Sequence, residues 1–206
     1  MSRRTTKLPR SFYARPTLTV ARDLIGKRLV RRVRDQRISG IIVETEAYRG
    51  PTDVASHAVH GPESKAAPMF GEPGHAYVYF TYGMHYCMNC VTEPAGSGTG
   101  VLIRALEPEE GTDLMRRNRK RVSAHVKELP EAELTSGPAK LCQALQIDRG
   151  LNREDLLGDT LWVEDAPSVP RGRIKRTARV GIRQGREHQW RFYLDGSPHV
   201  SAHPNY

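Results

Sequence analysis

The segment Val43-Glu44-Thr45-Glu46-Ala47-Tyr48 sets two carboxylates and a phenol at alternate positions, directly after the apolar Ile41 and Ile42. In a strand, alternate side chains share a face, so Glu44, Glu46 and Tyr48 are expected to point the same way. A carboxylate held like this can act as a general base. An exposed polar strand end would carry the same residues for no chemical reason. Arg104 interrupts the apolar run Val101-Leu102-Ile103-Arg104-Ala105-Leu106. A charge inside such a run is costly unless it is paired, and Glu46 is its natural partner, in a catalytic or a purely structural ion pair.

A second set of residues is aromatic. Tyr77 and Tyr79 alternate on one face of Tyr77-Val78-Tyr79-Phe80-Thr81-Tyr82-Gly83-Met84, as core residues or as the wall of a pocket. Tyr82 differs, because Thr81-Tyr82-Gly83-Met84 reads as a tight hairpin tip. An aromatic projecting from a turn can wedge between stacked bases. Asn89 falls within an apolar strand, where an amide needs partners or a purpose. His57 lies in a loop over 49–74 that is rich in Gly, Pro, His and Ser; alone it says little. Cys87 and Cys90 form a C-x-x-C. Positions three apart in a strand face opposite sides and no second pair completes a ligand set, so packed thiols are expected and no metal.

These residues must be positioned by short elements. The pattern predicts a helix over 17–24, ended by Gly26, and strands over 29–33 and 38–46 around Asp35 and Gln36. Strands over 76–82 and 84–91 flank the hairpin tip. Another strand covers 101–106, followed by a helix over 108–120 that ends in the basic run Arg116-Arg117-Asn118-Arg119-Lys120-Arg121. Ser136-Gly137-Pro138 reads as an N-cap and an early-helix proline, opening a helix to Leu145. A loop rich in Pro, Gly and Arg is expected over 167–176, and short strands over 160–163, 179–182 and 190–194. Strands outnumber helices. The expected fold is α+β: one compact domain, mainly an antiparallel β-sheet with flanking helices and a protruding β-hairpin. Residues 1–10 are expected to be a flexible basic arm and 11–206 the single domain.

Composition narrows the partners. The 206 residues hold 32 Lys and Arg against 23 Asp and Glu, a formal charge of +9. Such an excess suits a polyanion, usually nucleic acid, or serves solubility alone. The mean hydropathy is −0.58, and no run reaches the roughly 18 apolar residues of a membrane span. The basic opening has no apolar h-region, so a secretory signal is not expected. Three cysteines argue against a disulfide scaffold and fit a reducing compartment. A carboxylate, an aromatic pocket and a basic surface are the parts of a base-flipping hydrolase.

On these motifs the chain resembles the alkyladenine (3-methyladenine, methylpurine) DNA glycosylase family. The carrying segments are IVETEAYRGP at 42–51, YVYFTYGMHYCMN at 77–89, VLIRALEP at 101–108, TSGPAKLCQAL at 135–145 and RFYLDGSPHVS at 191–201. They occur in family order and span about residues 24–201. The resemblance implies Glu46 as the general base that deprotonates the water attacking C1′ of a flipped nucleotide. It implies that Arg104 and the backbone carbonyl of Val200 help hold that water. Tyr48 and His57 on one side and Tyr79 on the other would sandwich the extruded base, with the His57 N–H donating to the purine edge. Asn89 would disfavour the exocyclic amine of guanine. Tyr82 would fill the gap in the duplex, with Met84 beside it in the minor groove.

The implied activity is monofunctional removal of alkylated or deaminated purines such as 3-methyladenine and hypoxanthine from double-stranded DNA. No metal, no cofactor, no lyase step and no membrane partner are implied. A monomer is expected, cytoplasmic and nucleoid-associated in a bacterium, or nuclear in a eukaryote; the short chain without an obvious targeting segment suits a bacterium. Two other readings were weighed. A binding module with the same wedge would not require Glu46 and Arg104 together. A carbohydrate hydrolase using Glu44 and Glu46 is disfavoured, because neighbours on one strand face cannot flank a sugar from opposite sides. Glu44 is expected to have a structural or supporting role.

Overall fold

The computed structural model of the protein describes residues 6–122 and 129–201. Two short helices, α1 (Arg10–Tyr13) and α2 (Thr17–Asp23), lead into the hairpin of β1 (Arg28–Val33) and β2 (Gln36–Arg49). Beyond residues 50–74 come β3 (Ala76–Thr81), β4 (His85–Thr92) and β5 (Thr99–Glu110), then α3 (Thr112–Val122) and α4 (Pro138–Leu145). Three short strands close the order: β6 (Leu161–Glu164), β7 (Ile174–Thr177) and β8 (Arg191–Leu194).

The long strand β2 organises the sheet. Ile38, Ile42 and Val43 are buried and Ile41 is half-buried, which suits a strand covered on both faces. The sheet order is β3-β4-β5-β2-β1-β6 and every pair is antiparallel. One edge of β2 pairs with β5 throughout. The other edge is shared: β1 takes residues 36–41, and β8 takes Glu44, Thr45 and Glu46. The register of β2 on β5 shifts on both sides of Glu44, an irregularity that re-aims side chains at this point. The molecule is thus one α+β domain with a curled antiparallel sheet.

Behind the sheet, Val20 and Ala21 of α2, Leu24 just after it, and Leu141, Cys142, Ala144 and Leu145 of α4 join Ile42, Ile103 and Leu106 in the main core. The Thr45 hydroxyl donates to the Ala21 carbonyl at 2.8 Å, so Thr45 turns toward the helix while its neighbours Glu44 and Glu46 turn away. A smaller cluster of Ala58, Ala66, Met69, Tyr77 and Val91 holds the segment after β2 against β3 and β4, with Tyr48, Phe70 and Tyr79 packed on it.

Several expected boundaries moved. The helix foreseen from residue 108 starts at Thr112, because Pro108 continues β5 opposite Gly40. The cap of α4 is Gly137 at φ 143°, with no side-chain cap bond; Ser136 instead forms a bridge with Ala105. The loop expected over 167–176 contains the start of β7, and the strand expected over 179–182 is absent. Of the expected N-terminal arm, residues 1–5 lie outside the described residues. The rest packs: Leu8 is buried and its N–H meets the Val163 carbonyl at 2.9 Å, and Lys7 pairs with Asp159. Within the basic run, Arg116 donates to the Leu129 carbonyl and Arg119 to the Gln143 side chain.

Candidate active site

Glu44, Glu46 and Tyr48 do share a face of β2, and Arg104 of β5 reaches them from the neighbouring strand. Glu46 is fully buried. Its Oε2 accepts from the Tyr48 hydroxyl at 2.9 Å, and its Oε1 accepts from the Val180 N–H at 2.7 Å. One Arg104 Nη lies 3.4 Å from the same Oε1. The closer partner of Arg104, however, is Glu44, whose Oε1 accepts from Nε at 2.9 Å. Glu44 also accepts from Arg191 Nε at 2.6 Å and from both the N–H and the hydroxyl of Ser201 at 2.8 Å.

The electrostatics follow from this network. Burial disfavours the charge on Glu44, yet the guanidiniums of Arg104 and Arg191 and both Ser201 donors outweigh it and hold its carboxyl below the usual range. Burial likewise works against the cation of Arg104, but Glu46 and Glu44 more than offset that and keep it charged. Burial and the Glu46 charge push the Tyr48 phenol well up, so it remains a hydrogen-bond donor at neutral pH.

In front of this polar group lies a cavity of about 420 Å³ whose lining includes Tyr48, His57, Tyr77, Tyr79, Asn89 and Arg104. That volume is within the range of small-molecule sites. Tyr79 stacks on Tyr77 at 5.3 Å between ring centres, and His57 meets the Tyr79 ring edge-on at 4.5 Å. His57 Nδ1 lies 3.0 Å from the Tyr77 hydroxyl. Burial pushes Tyr77 up to about 12 and lowers His57, with help from His60. The chamber is therefore aromatic and uncharged on this side at neutral pH, suited to a flat ring and attractive to a cationic one. Asn89 is buried and donates to the Tyr77 carbonyl at 3.3 Å, which fixes its amide against the cavity. His57 and Tyr79 adjoin in the chamber wall.

Tyr82, Gly83 and Met84 join β3 to β4, with Thr81 paired to His85. Tyr82 has φ 51° and Gly83 φ 69°. A tyrosine in the left-handed region is strained, by roughly 1–2 kcal/mol, and this one is 80% exposed. It lines the cavity together with Pro138, Arg183 and Gln184. Met84 is 67% exposed but faces a separate depression beside Tyr86 and Gln143. Val200 does not line the cavity. It precedes Ser201, so the Glu44 contacts anchor the backbone at this point. Cys87 lines the cavity while Cys90 lies in the core, on the opposite side of β4.

Comparison with known proteins decides the family. The family described as Methylpurine-DNA glycosylase (MPG) matches residues 11–198. The chain belongs to this family. The glycosylase is 46% identical over 203 residues to a protein of Desulfitobacterium hafniense, covering 95% of this chain and 98% of that one. It is 48% identical over 198 residues to one of Methanocella arvoryzae, with 94% and 95% covered. A protein of Chlorobium phaeovibrioides is 45% identical over 196 residues, with 95% and 96% covered. All three carry the name "Putative 3-methyladenine DNA glycosylase".

For this DNA glycosylase the sequence reading missed four participants. Arg191, Ser201, Val180 and Arg179 complete the polar group, yet none stands out locally. Arg191 opens a strand as a charged residue before Phe192, the one faint signal. Arg179 is buried and bidentate to Asp53, but in the sequence it is one arginine among many in a basic stretch.

Proposed function

We propose that this DNA glycosylase excises alkylated and deaminated purines, 3-methyladenine and hypoxanthine among them, from double-stranded DNA by hydrolysis. The observation that carries the reading is the Glu46 carboxylate. It is fully buried, fixed by Tyr48 and Val180, and adjoins Arg104 at the wall of an aromatic chamber. Departure of the base leaves an oxocarbenium-like sugar. A carboxylate near C1′ stabilises that charge and takes the proton of the attacking water. Arg104 offers the opposite charge to hold the water oxygen as it becomes nucleophilic, and the Val200 carbonyl is the third contact.

The extruded base stacks in the chamber built by Tyr48, His57 and Tyr79, with Asn89 set against the 2-amino group of guanine-type bases. Tyr82 enters the duplex where the nucleotide left, and Met84 follows the minor groove. Among the described residues no lysine lines the cavity, which supports hydrolysis without a Schiff-base lyase step. The formal charge of +9 supports binding through phosphates, by a monomer working at the nucleoid.

The decisive experiment is single-turnover base release from a duplex carrying one hypoxanthine, and from one carrying 3-methyladenine, by the native protein and by Glu46→Gln. Release by the native protein, loss in the variant, and an intact abasic strand are expected. Equal release by both removes Glu46 from the mechanism. A borohydride-trapped protein–DNA adduct overturns the monofunctional reading.

A further inference from the structure

Behind the catalytic wall, Arg179 and Asp53 form a buried pair that no part of the proposed reaction uses. Both side chains are about 1% exposed or less. Arg179 Nη1 donates to Asp53 Oδ2 at 2.6 Å and Nη2 donates to Oδ1 at 2.8 Å. Nη1 also donates to the carbonyl of Ala47, between Glu46 and Tyr48, at 3.1 Å. The guanidinium lies 4.7 Å from the centre of the Tyr48 ring and 4.9 Å from that of Trp190. Asp53 in turn accepts from the N–H groups of Arg49 and Ala55 at 3.1 Å. Burial opposes its charge, but Arg179 and the Arg49 N–H hold its carboxyl below the usual range.

We infer that Arg179 and Asp53 are positioning residues for the general base. This rests on the reading of Glu46 as that base. Neither side chain lines the cavity, and both are spent on contacts within the protein. What they fix are the two donors that hold Glu46. Arg179 stacks on the ring of Tyr48, whose hydroxyl meets Oε2, and its own chain neighbour Val180 supplies the N–H that meets Oε1. The pair also ties the segment after β2, which carries His57, to the segment that carries Val180. Residues 178–182 form no strand, so the Val180 N–H has no ladder to set its direction. The planar, two-pronged guanidinium supplies that direction, which a point charge on a flexible stem cannot match.

The test compares single-turnover release from the hypoxanthine duplex, affinity for the uncleaved lesion duplex, and melting temperature in four variants of the full chain. These are Arg179→Lys, Asp53→Asn, Glu46→Gln and a core control, Met115→Ala. Misplacement of a catalytic group by about 1 Å costs on the order of 100-fold in rate. A loss of that size is expected for Arg179→Lys and Asp53→Asn, at unchanged duplex affinity. A fifth variant that combines Arg179→Lys with Asp53→Asn should be no slower than the worse single one, because both act through one coupling. Met115→Ala, which removes a buried side chain in α3, should lower the melting temperature as much while keeping the native rate. Native rates in Arg179→Lys overturn the inference and leave the general base standing. Rates that track melting temperature across all variants, the core control included, also overturn it. Undiminished release by Glu46→Gln overturns the general-base reading, and this inference with it, whatever Arg179→Lys does.

Discussion

The end of β2 and the turn between β3 and β4 face the same cavity but are built in opposite ways. The carboxylates of Glu44 and Glu46 are fully buried, all their oxygens accept hydrogen bonds, and the donors come from separate chain segments. The turn carries Tyr82 and Met84 exposed, with two consecutive residues at positive φ. On the proposed reading of Glu46, rigidity sits where the bond breaks, because a general base works only at a fixed distance. The turn is left underdetermined. On the proposed reading it changes partners from water to DNA, and DNA contacts would offset its backbone strain.

Substitutions can break this contrast or sharpen it. The largest effect is expected for Glu46→Gln, a loss of about 10²–10⁴-fold in single-turnover base release, with little change in duplex affinity measured by fluorescence anisotropy. Glu44→Gln comes next and reads out in stability. It leaves Arg104 and Arg191 buried with their charge poorly matched, so a loss of about 3–5 kcal/mol is expected in urea unfolding.

The pH dependence of the same variant has a definite sign. The folded carboxyl of Glu44 is held below its usual value. Its contribution is therefore present in full above the unfolded value of about 4.3 and is lost as pH falls toward the folded value. Native protein should show this acid loss in melting temperature, and Glu44→Gln should show a shallower one. An equally steep acid loss in the variant would count against Glu44 as the hub.

At the turn the expected sign of stability reverses. Tyr82→Gly should raise stability by about 1 kcal/mol through relief of the left-handed strain, while slowing release from duplex DNA. A variant that is both slower and less stable would show that the turn is not strained in the way its backbone angles imply. The smallest effect is expected for Asn89→Ser, which should leave release of hypoxanthine nearly intact and admit guanine-type lesions more readily. An unaltered preference between the two bases would sink the assignment of Asn89.

How much of this was legible depends on how local the signal is. Strand alternation alone put Glu44, Glu46 and Tyr48 on one face, and the misplaced charge in an apolar run picked out Arg104. The same reasoning paired Arg104 with Glu46, whereas Glu44 is its closer partner. The register shift around Glu44 decides that choice, and such a shift leaves no mark in a pattern of period two. The turn at Tyr82 was readable because it needs a glycine at a known place. Pro108 was misread as the start of a helix because proline favours a first helical turn, yet its partner across the strands is Gly40. Arg179 and Val180 could not be found at all. Their contacts lie more than a hundred residues away in sequence, and the local pattern reads as a strand over 179–182 that does not form.

One pairing has a further consequence for how the enzyme comes into being. Glu44 is held by Arg191 and Ser201, 147 and 157 residues further along the chain. A polypeptide still emerging from the ribosome can close the β2–β5 pairing early, but it has no finished active site until residues 191–201 have joined it. Until then Glu44 lacks three of its four hydrogen bonds, so an unfinished copy of this DNA glycosylase lacks most of what fixes that carboxylate.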